Sequence, residues 1–184
     1  MADVDVWTVA LPHRDRRLAH AALREILAGY VNRPAESIQI DTTPKGKPYL
    51  PDSRIHFNLS HSRNIALIAV STVAPVGIDV EHPRVFRSPD ALAQRICSQR
   101  ELHSVKTPAQ MLRLWVRKES VVKGIGDGLT RPLNEVDVLD DNLAGGWQCL
   151  DVKSPAPGFH AATAIREPGK VSLRSLRLHL PPSA

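Results

Sequence analysis

Strict alternation in Val76-Gly77-Ile78-Asp79-Val80-Glu81 commits this stretch to a strand, with apolar side chains facing one way and acids the other. Period 2 sets Asp79 and Glu81 on one face, about 6 to 7 Å apart along the chain. A second segment is as tightly specified. Thr107, Pro108 and Gln110 supply an N-cap, a first-turn proline and the third position of a capping box. Gly124, Gly126 and Gly128 favour termination of the helix that follows. At roughly 100° per residue, Leu112, Trp115, Val116, Glu119, Val122 and Lys123 share one stripe. Glu119 is therefore expected among the residues this helix buries, and Trp115 is expected to anchor the core.

Three carboxylates gathered in a partly desolvated place raise one another's pKa unless a cation compensates them. A hard divalent ion with oxygen ligands, most simply Mg²⁺ held by Asp79, Glu81 and Glu119, is the economical solution. The plainer arrangement leaves Asp79 and Glu81 on the solvated face of an edge strand and pairs Glu119 with Lys123 one helical turn on. The joint occurrence of both motifs, with Glu119 on an apolar stripe, favours the metal.

Around these motifs the chain reads as two passes of one pattern. Val4 to Leu11 alternates as a strand, and Leu18, Ala22, Ile26, Leu27 and Tyr30 place a helix from about Arg14 to Tyr30. Ile38 and Ile40 alternate, Pro44-Lys45-Gly46-Lys47-Pro48 forms a turn, and strands are expected at Ile55–Leu59, Ile65–Ser71 and Val76–Val80. After a proline-containing connection and short helices comes the Thr107 helix. Strands are then expected at Val136–Leu139, Trp147–Val152, Phe159–Ile165 and Val171–Leu180. The expected fold is α+β: two similar halves, 1–82 and 83–184, each a small, mainly antiparallel sheet packed with a long helix. The acids lie near their junction, where a cleft is expected. The last residues, 181–184, are expected to fray.

Composition excludes several classes. No apolar run approaches the ~20 residues a membrane helix requires, and no basic stretch precedes an apolar one at the N-terminus, so a cytoplasmic protein without membrane contact is expected. Cys97 and Cys149 lack metal or redox spacing and are expected to be reduced and structural. The net charge of +5 favours an anionic partner. With 4% aromatic residues, scattered basic residues and no nucleic-acid-binding motif, that partner is not expected to be nucleic acid. An acidic protein or a phosphorylated small molecule suits the charge.

Read in order, four segments resemble a known family. They are Gly46-Lys47-Pro48; Phe57-Asn58-Leu59-Ser60-His61-Ser62; Gly77-Ile78-Asp79-Val80-Glu81; and Trp115-Val116-Arg117-Lys118-Glu119-Ser120-Val121-Val122-Lys123-Gly124 with Gly126, Gly128 and Leu129. Together they are similar to the 4′-phosphopantetheinyl transferases of the surfactin-synthetase-activating type, over about Arg14 to Leu129. The resemblance implies a monomeric pseudo-dimer with its active site at the junction of the halves. It would move the phosphopantetheine arm of coenzyme A onto a serine of an apo carrier protein, an acidic helical domain, and release adenosine 3′,5′-bisphosphate. It implies that Asp79, Glu81 and Glu119 hold Mg²⁺ against the diphosphate, that Glu119 accepts the serine proton, and that Lys123 contacts a phosphate. Three carboxylates, one dication and one lysine sum to zero, so the diphosphate enters without net repulsion. The 3′-phosphate of coenzyme A would fall to Arg16 or a neighbour in Arg14, Arg16 and Arg17, and to Lys47, Ser60 and His61. The chain departs from longer members where only Pro12 and His13 separate Leu11 from Arg14. The rival readings are a non-enzymatic coenzyme A or nucleotide-binding module and a Mg-dependent phosphohydrolase.

Overall fold

The computed structural model describes residues 2–12, 15–83, 88–126 and 132–180. Arg14, Gly128, Leu129 and the expected frayed end at 181–184 lie outside these. The chain opens with β1 (Ala2–Ala10) and α1 (Arg16–Val31). Asp15 caps α1 by accepting from the Arg17 N–H at 2.9 Å, and Asn32 closes it in the left-handed region at φ 51°. The proline-rich turn is the tip of a small hairpin, β2 (Asp41–Thr42) with β3 (Pro48–Tyr49). Of the alternation at Ile38 and Ile40, only the residues just beyond it pair as strand. Next come β4 (His56–Ser62), β5 (Ile65–Ser71) and β6 (Val76–Glu81), then α2 (Pro89–Ile96) and α3 (Gln99–Ser104). The helix expected after Thr107 is α4 (Pro108–Ile125), with its capping box formed and Gly126 at φ 81° ending it. β7 (Gln148–Asp151), β8 (His160–Ile165) and β9 (Val171–Leu178) follow.

The result is a mixed α+β structure. One sheet has the order β4-β5-β1-β9 and the other β6-β8-β7. All pairings are antiparallel except that β9 runs parallel to β1. The halves expected at 1–82 and 83–184 therefore exchange strands: β6 completes the sheet of the later residues and β9 that of the earlier ones. Alternation identifies a strand, but its partner is chosen by the apolar face it must cover.

The layers run helix, sheet, sheet, helix. Ala22, Leu23, Ile26 and Leu27 of α1 pack on Val9, Phe57, Ile68 and Val70 of the first sheet. The opposite face of that sheet, Val4, Val6, Leu67 and Ala69, meets Val76, Ile78 and Val80 of β6 with Ala161 and Ile165 of β8. Met111, Leu114, Val121 and Val122 of α4 cover Cys149, Ala162 and Ala164 on the outside of the second sheet. Both cysteines are free and buried. No helix among the described residues is long and apolar enough to cross a membrane.

Val136–Leu139, expected as a strand, is not one. Val136 and Val138 are buried in the α4 cluster as alternation requires, but Val136 N turns back to Leu133 O at 3.1 Å and their other backbone groups pair with side chains. Lys118 donates to Val136 O, Arg117 Nε to Val138 O at 2.8 Å, and Val138 N to Glu101 Oε1 at 2.8 Å. Three ionised side chains do the work of a neighbouring strand.

Candidate active site

Gly77 sets the distance between β6 and α4. A β-carbon there would lie 2.0 Å from Ser120 O and 2.3 Å from Gly124 N, so only glycine lets strand and helix backbones touch. Two residues along β6, Asp79 then meets Lys123. Lys123 Nζ lies 2.6 Å from Asp79 Oδ1 and donates to Ser60 Oγ at 3.0 Å, while Ser60 Oγ donates to the same Oδ1 at 2.8 Å. Asp79 is buried, and its second oxygen, Oδ2, has no hydrogen-bond partner.

Strand β4 holds the other side. Its period-2 row of Asn58, Ser60 and Ser62 faces the edge of β6 that β8 leaves open. Asn58 Oδ1 accepts from Ile78 N at 2.9 Å, taking the place of a ladder bond. Ser62 Oγ donates to Glu81 Oε2 at 2.9 Å and accepts from His82 N at 3.1 Å. The two sheets are thus stitched at their edges by side chains, two of which orient acids.

Asp79, Glu81 and Glu119 line one cavity of about 630 Å³ together with Ser60, His61, Lys123 and Trp115. The stripe on α4 is differently used from what its periodicity suggests. Arg117, Lys118 and Ser120 are buried, whereas Trp115, Glu119 and Lys123, one turn apart, form the half-buried row that faces the cavity. Trp115 packs against the α4 core cluster, as expected, and also forms a wall of the cavity. Burial of Lys118 is matched by full pairing: its ammonium lies 2.6 Å from Glu101 Oε2 and donates to Leu133 O at 2.9 Å and to Val136 O.

Lys47 stands apart from the acids. Its ammonium donates to Gly124 O at the end of α4 and lies 3.5 Å from Val76 O, and burial pulls its pKa down to about 8. It lines a neighbouring cavity of about 210 Å³ with Pro48 and Lys123, and acts as a strut between the hairpin and the helix terminus. Arg17 is bound to the Asp15 carboxylate at 3.0 Å. Arg16 instead shares a cavity of about 270 Å³ with His61, which also lines the acid cavity. Sequence reasoning did not single out Asn58, Ser62, His20, Arg95 or Leu133, which also belong to the site. The alternation of Asn58, Ser60 and Ser62 was the signal for the first two; isolated residues such as Arg95 carry none.

The donor set suits a hard dication. Three carboxylates share the cavity, and the unpartnered Asp79 Oδ2 is an oxygen donor with nothing else to bind. Among the described residues no three acid, histidine or cysteine side chains converge closely enough to hold a metal ion by themselves.

Comparison with known proteins places this arrangement in context. The model of the 4′-phosphopantetheinyl transferase superfamily matches residues 75–162, which carry all three acids and Lys123. The 4′-phosphopantetheinyl transferase HetI of Nostoc is 36% identical over 137 residues, 68% of this chain and 57% of that protein. A putative 4′-phosphopantetheinyl transferase of Haemophilus influenzae is 33% identical over 140 residues, 72% of this chain and 59% of that protein. The 4′-phosphopantetheinyl transferase Sfp of Bacillus subtilis is 29% identical over 167 residues, 82% of this chain and 73% of that protein. The chain spans less than two thirds of the length of the first two.

Proposed function

The chain belongs to the 4′-phosphopantetheinyl transferase superfamily, and from that premise we propose that it transfers the 4′-phosphopantetheine group of coenzyme A to a serine of an apo carrier protein. Adenosine 3′,5′-bisphosphate is the second product. The observation that carries this reading is the Asp79–Ser60–Lys123 triangle with Glu81 and Glu119 on the walls of the same cavity. The two helix-on-sheet lobes are read as a pseudo-dimer with the site at their junction, working as a monomer.

The carrier serine oxygen attacks the phosphorus that bears the pantetheine arm, and the bond from that phosphorus to the bridging oxygen breaks. Glu119 takes the serine proton, directly or through a water. Lys123 gives its positive charge to the diphosphate oxygens, and Ser60 keeps Asp79 and Lys123 in register. Asp79, Glu81 and Glu119 would hold Mg²⁺, which when bound offsets the charge that grows on the diphosphate. Ser62 fixes the orientation of Glu81 through its 2.9 Å hydrogen bond.

The test is incubation with coenzyme A, Mg²⁺ and a panel of apo carriers, read by mass spectrometry. A carrier gaining one phosphopantetheine supports transfer. Free phosphopantetheine means hydrolysis, and unchanged reactants mean a binding module. Glu119→Gln keeps the side-chain shape but loses charge and basicity, so transfer falls by about 10²–10⁴ while the unfolding midpoint holds. Normal turnover in that variant refutes the role given to Glu119.

A further inference from the structure

The β4–β5 hairpin turns on two residues, Arg63 and Asn64, because Ser62 pairs directly with Ile65. Arg63 has φ 53°, whereas Asn64 is not in the positive-φ region. A two-residue turn with positive φ at its first central position is one in which glycine is the default, since a β-carbon there is strained. The turn is also held in place, for Leu11 N donates to Asn64 O at 2.7 Å and ties it to the end of β1. A long cationic side chain thus occupies a backbone position that suits glycine, in a turn with no freedom to relax. Such an outlier points to a use for the side chain.

Its surroundings indicate the use. Arg63 lines the 270 Å³ cavity with Leu11, Arg16, His61 and Ser62, and no acid is among these described residues. Neither Arg16 nor Arg63 has an ion pair among the described residues, although Arg17 beside them does. Two uncompensated guanidinium groups and an imidazole on one small cavity make a receptor for a doubly charged oxyanion, which guanidinium binds through paired N–H donors. His61 belongs to this cavity and to the acid cavity, so the two are contiguous.

We propose that Arg63 is a specificity-determining residue that, together with Arg16 and His61, binds a terminal phosphomonoester on the nucleotide end of the substrate. The inference rests on the transferase reading above, and assigns to this chain a phosphate contact from a hairpin turn.

The experiment compares wild type with Arg63→Gly, which restores the residue the turn favours. The variant is expected to unfold at the same or a higher temperature. Titration calorimetry with adenosine 3′,5′-bisphosphate should show affinity reduced about tenfold or more, the scale of one charge-assisted hydrogen bond to phosphate, while binding of adenosine 5′-monophosphate is unchanged. In transfer assays KM for coenzyme A rises, KM for 3′-dephospho-coenzyme A does not, and kcat is unaltered. Equal affinity for the bisphosphate in both proteins, equal weakening for both nucleotides, or a wild type that fails to distinguish them overturns the proposal. Transfer that persists with none of these changes defeats Arg63 alone. Arg63-dependent bisphosphate binding without any transfer instead defeats the transferase reading.

Discussion

Gly77→Ala tests whether the site depends on how closely β6 crosses α4. The new β-carbon would lie 2.0 Å from Ser120 O, 2.3 Å from Gly124 N and 2.7 Å from Gly124 Cα, all backbone atoms that no rotamer change can move. To reach an ordinary 3.4 Å contact, strand and helix must part by about 1.4 Å. Overpacking of this kind costs about 1–3 kcal/mol, and clashes with the backbone of two successive turns of α4 place this case near the top, at about 3 kcal/mol. The same displacement stretches the 2.6 Å Lys123–Asp79 contact to roughly 4 Å, the limit of an ion pair. Stability and coenzyme A affinity should therefore fall together. Urea unfolding and calorimetry measure both, with Gly29→Ala as control. At Gly29 an added β-carbon meets nothing within 4 Å, so alanine in that helix should gain about 0.5–1 kcal/mol. A Gly77→Ala protein within about 0.5 kcal/mol of wild type and with undiminished binding would refute the reasoning.

Lys118→Met leaves the fully buried Glu101 carboxylate without its counter-ion and should cost about 3–5 kcal/mol in urea unfolding. A loss below about 1 kcal/mol would mean that the backbone N–H groups of Ser98 and Val138 suffice for it. Lys47, whose pKa burial pulls from 10.5 to about 8, gives a pH signature. Below pH 8 it is protonated both folded and unfolded, and the full cost of burying the charge is present. Between pH 8 and 10.5 the folded protein has released a proton that the unfolded chain still holds, so stability rises with pH. Relative to Lys47→Met, wild type should gain about 1 kcal/mol from pH 7 to pH 10, a figure discounted because solvent reaches part of the side chain. A wild-type-minus-variant difference in melting that is flat across this range removes the argument.

Much of this was legible in the chain because the governing physics is local. Thr107, Pro108 and Gln110 start α4 where the capping box requires, and the period of 2 in β6 puts Asp79 and Glu81 on one face. What escaped depends on partners far away in sequence. Arg117 and Lys118 look like a solvated helix face, yet both are buried because the loop around Val136 and Val138 brings carbonyls that need donors. Lys47 sits in a turn whose sequence names no partner for it, and it reaches the distant carbonyls of Val76 and Gly124. Trp115 meets the core as its stripe predicts, but crowding by the second sheet and the loop buries the adjoining faces of α4 and leaves the tryptophan row half open. The backbone angle of Arg63 has no signature in the residue itself.

The parallel seam between β1 and β9 fixes when the molecule can finish folding. Ala2 is matched with Val171 and Val9 with Leu178, so β1 must wait for a partner made long after it. Until then β1 presents a bare row of amide and carbonyl groups to the cell, an edge that invites pairing with other chains. Closure is postponed until β9 has been made, and β9 is the clasp. A nascent chain halted before it would hold every acid of the site and still carry an open, adhesive flank.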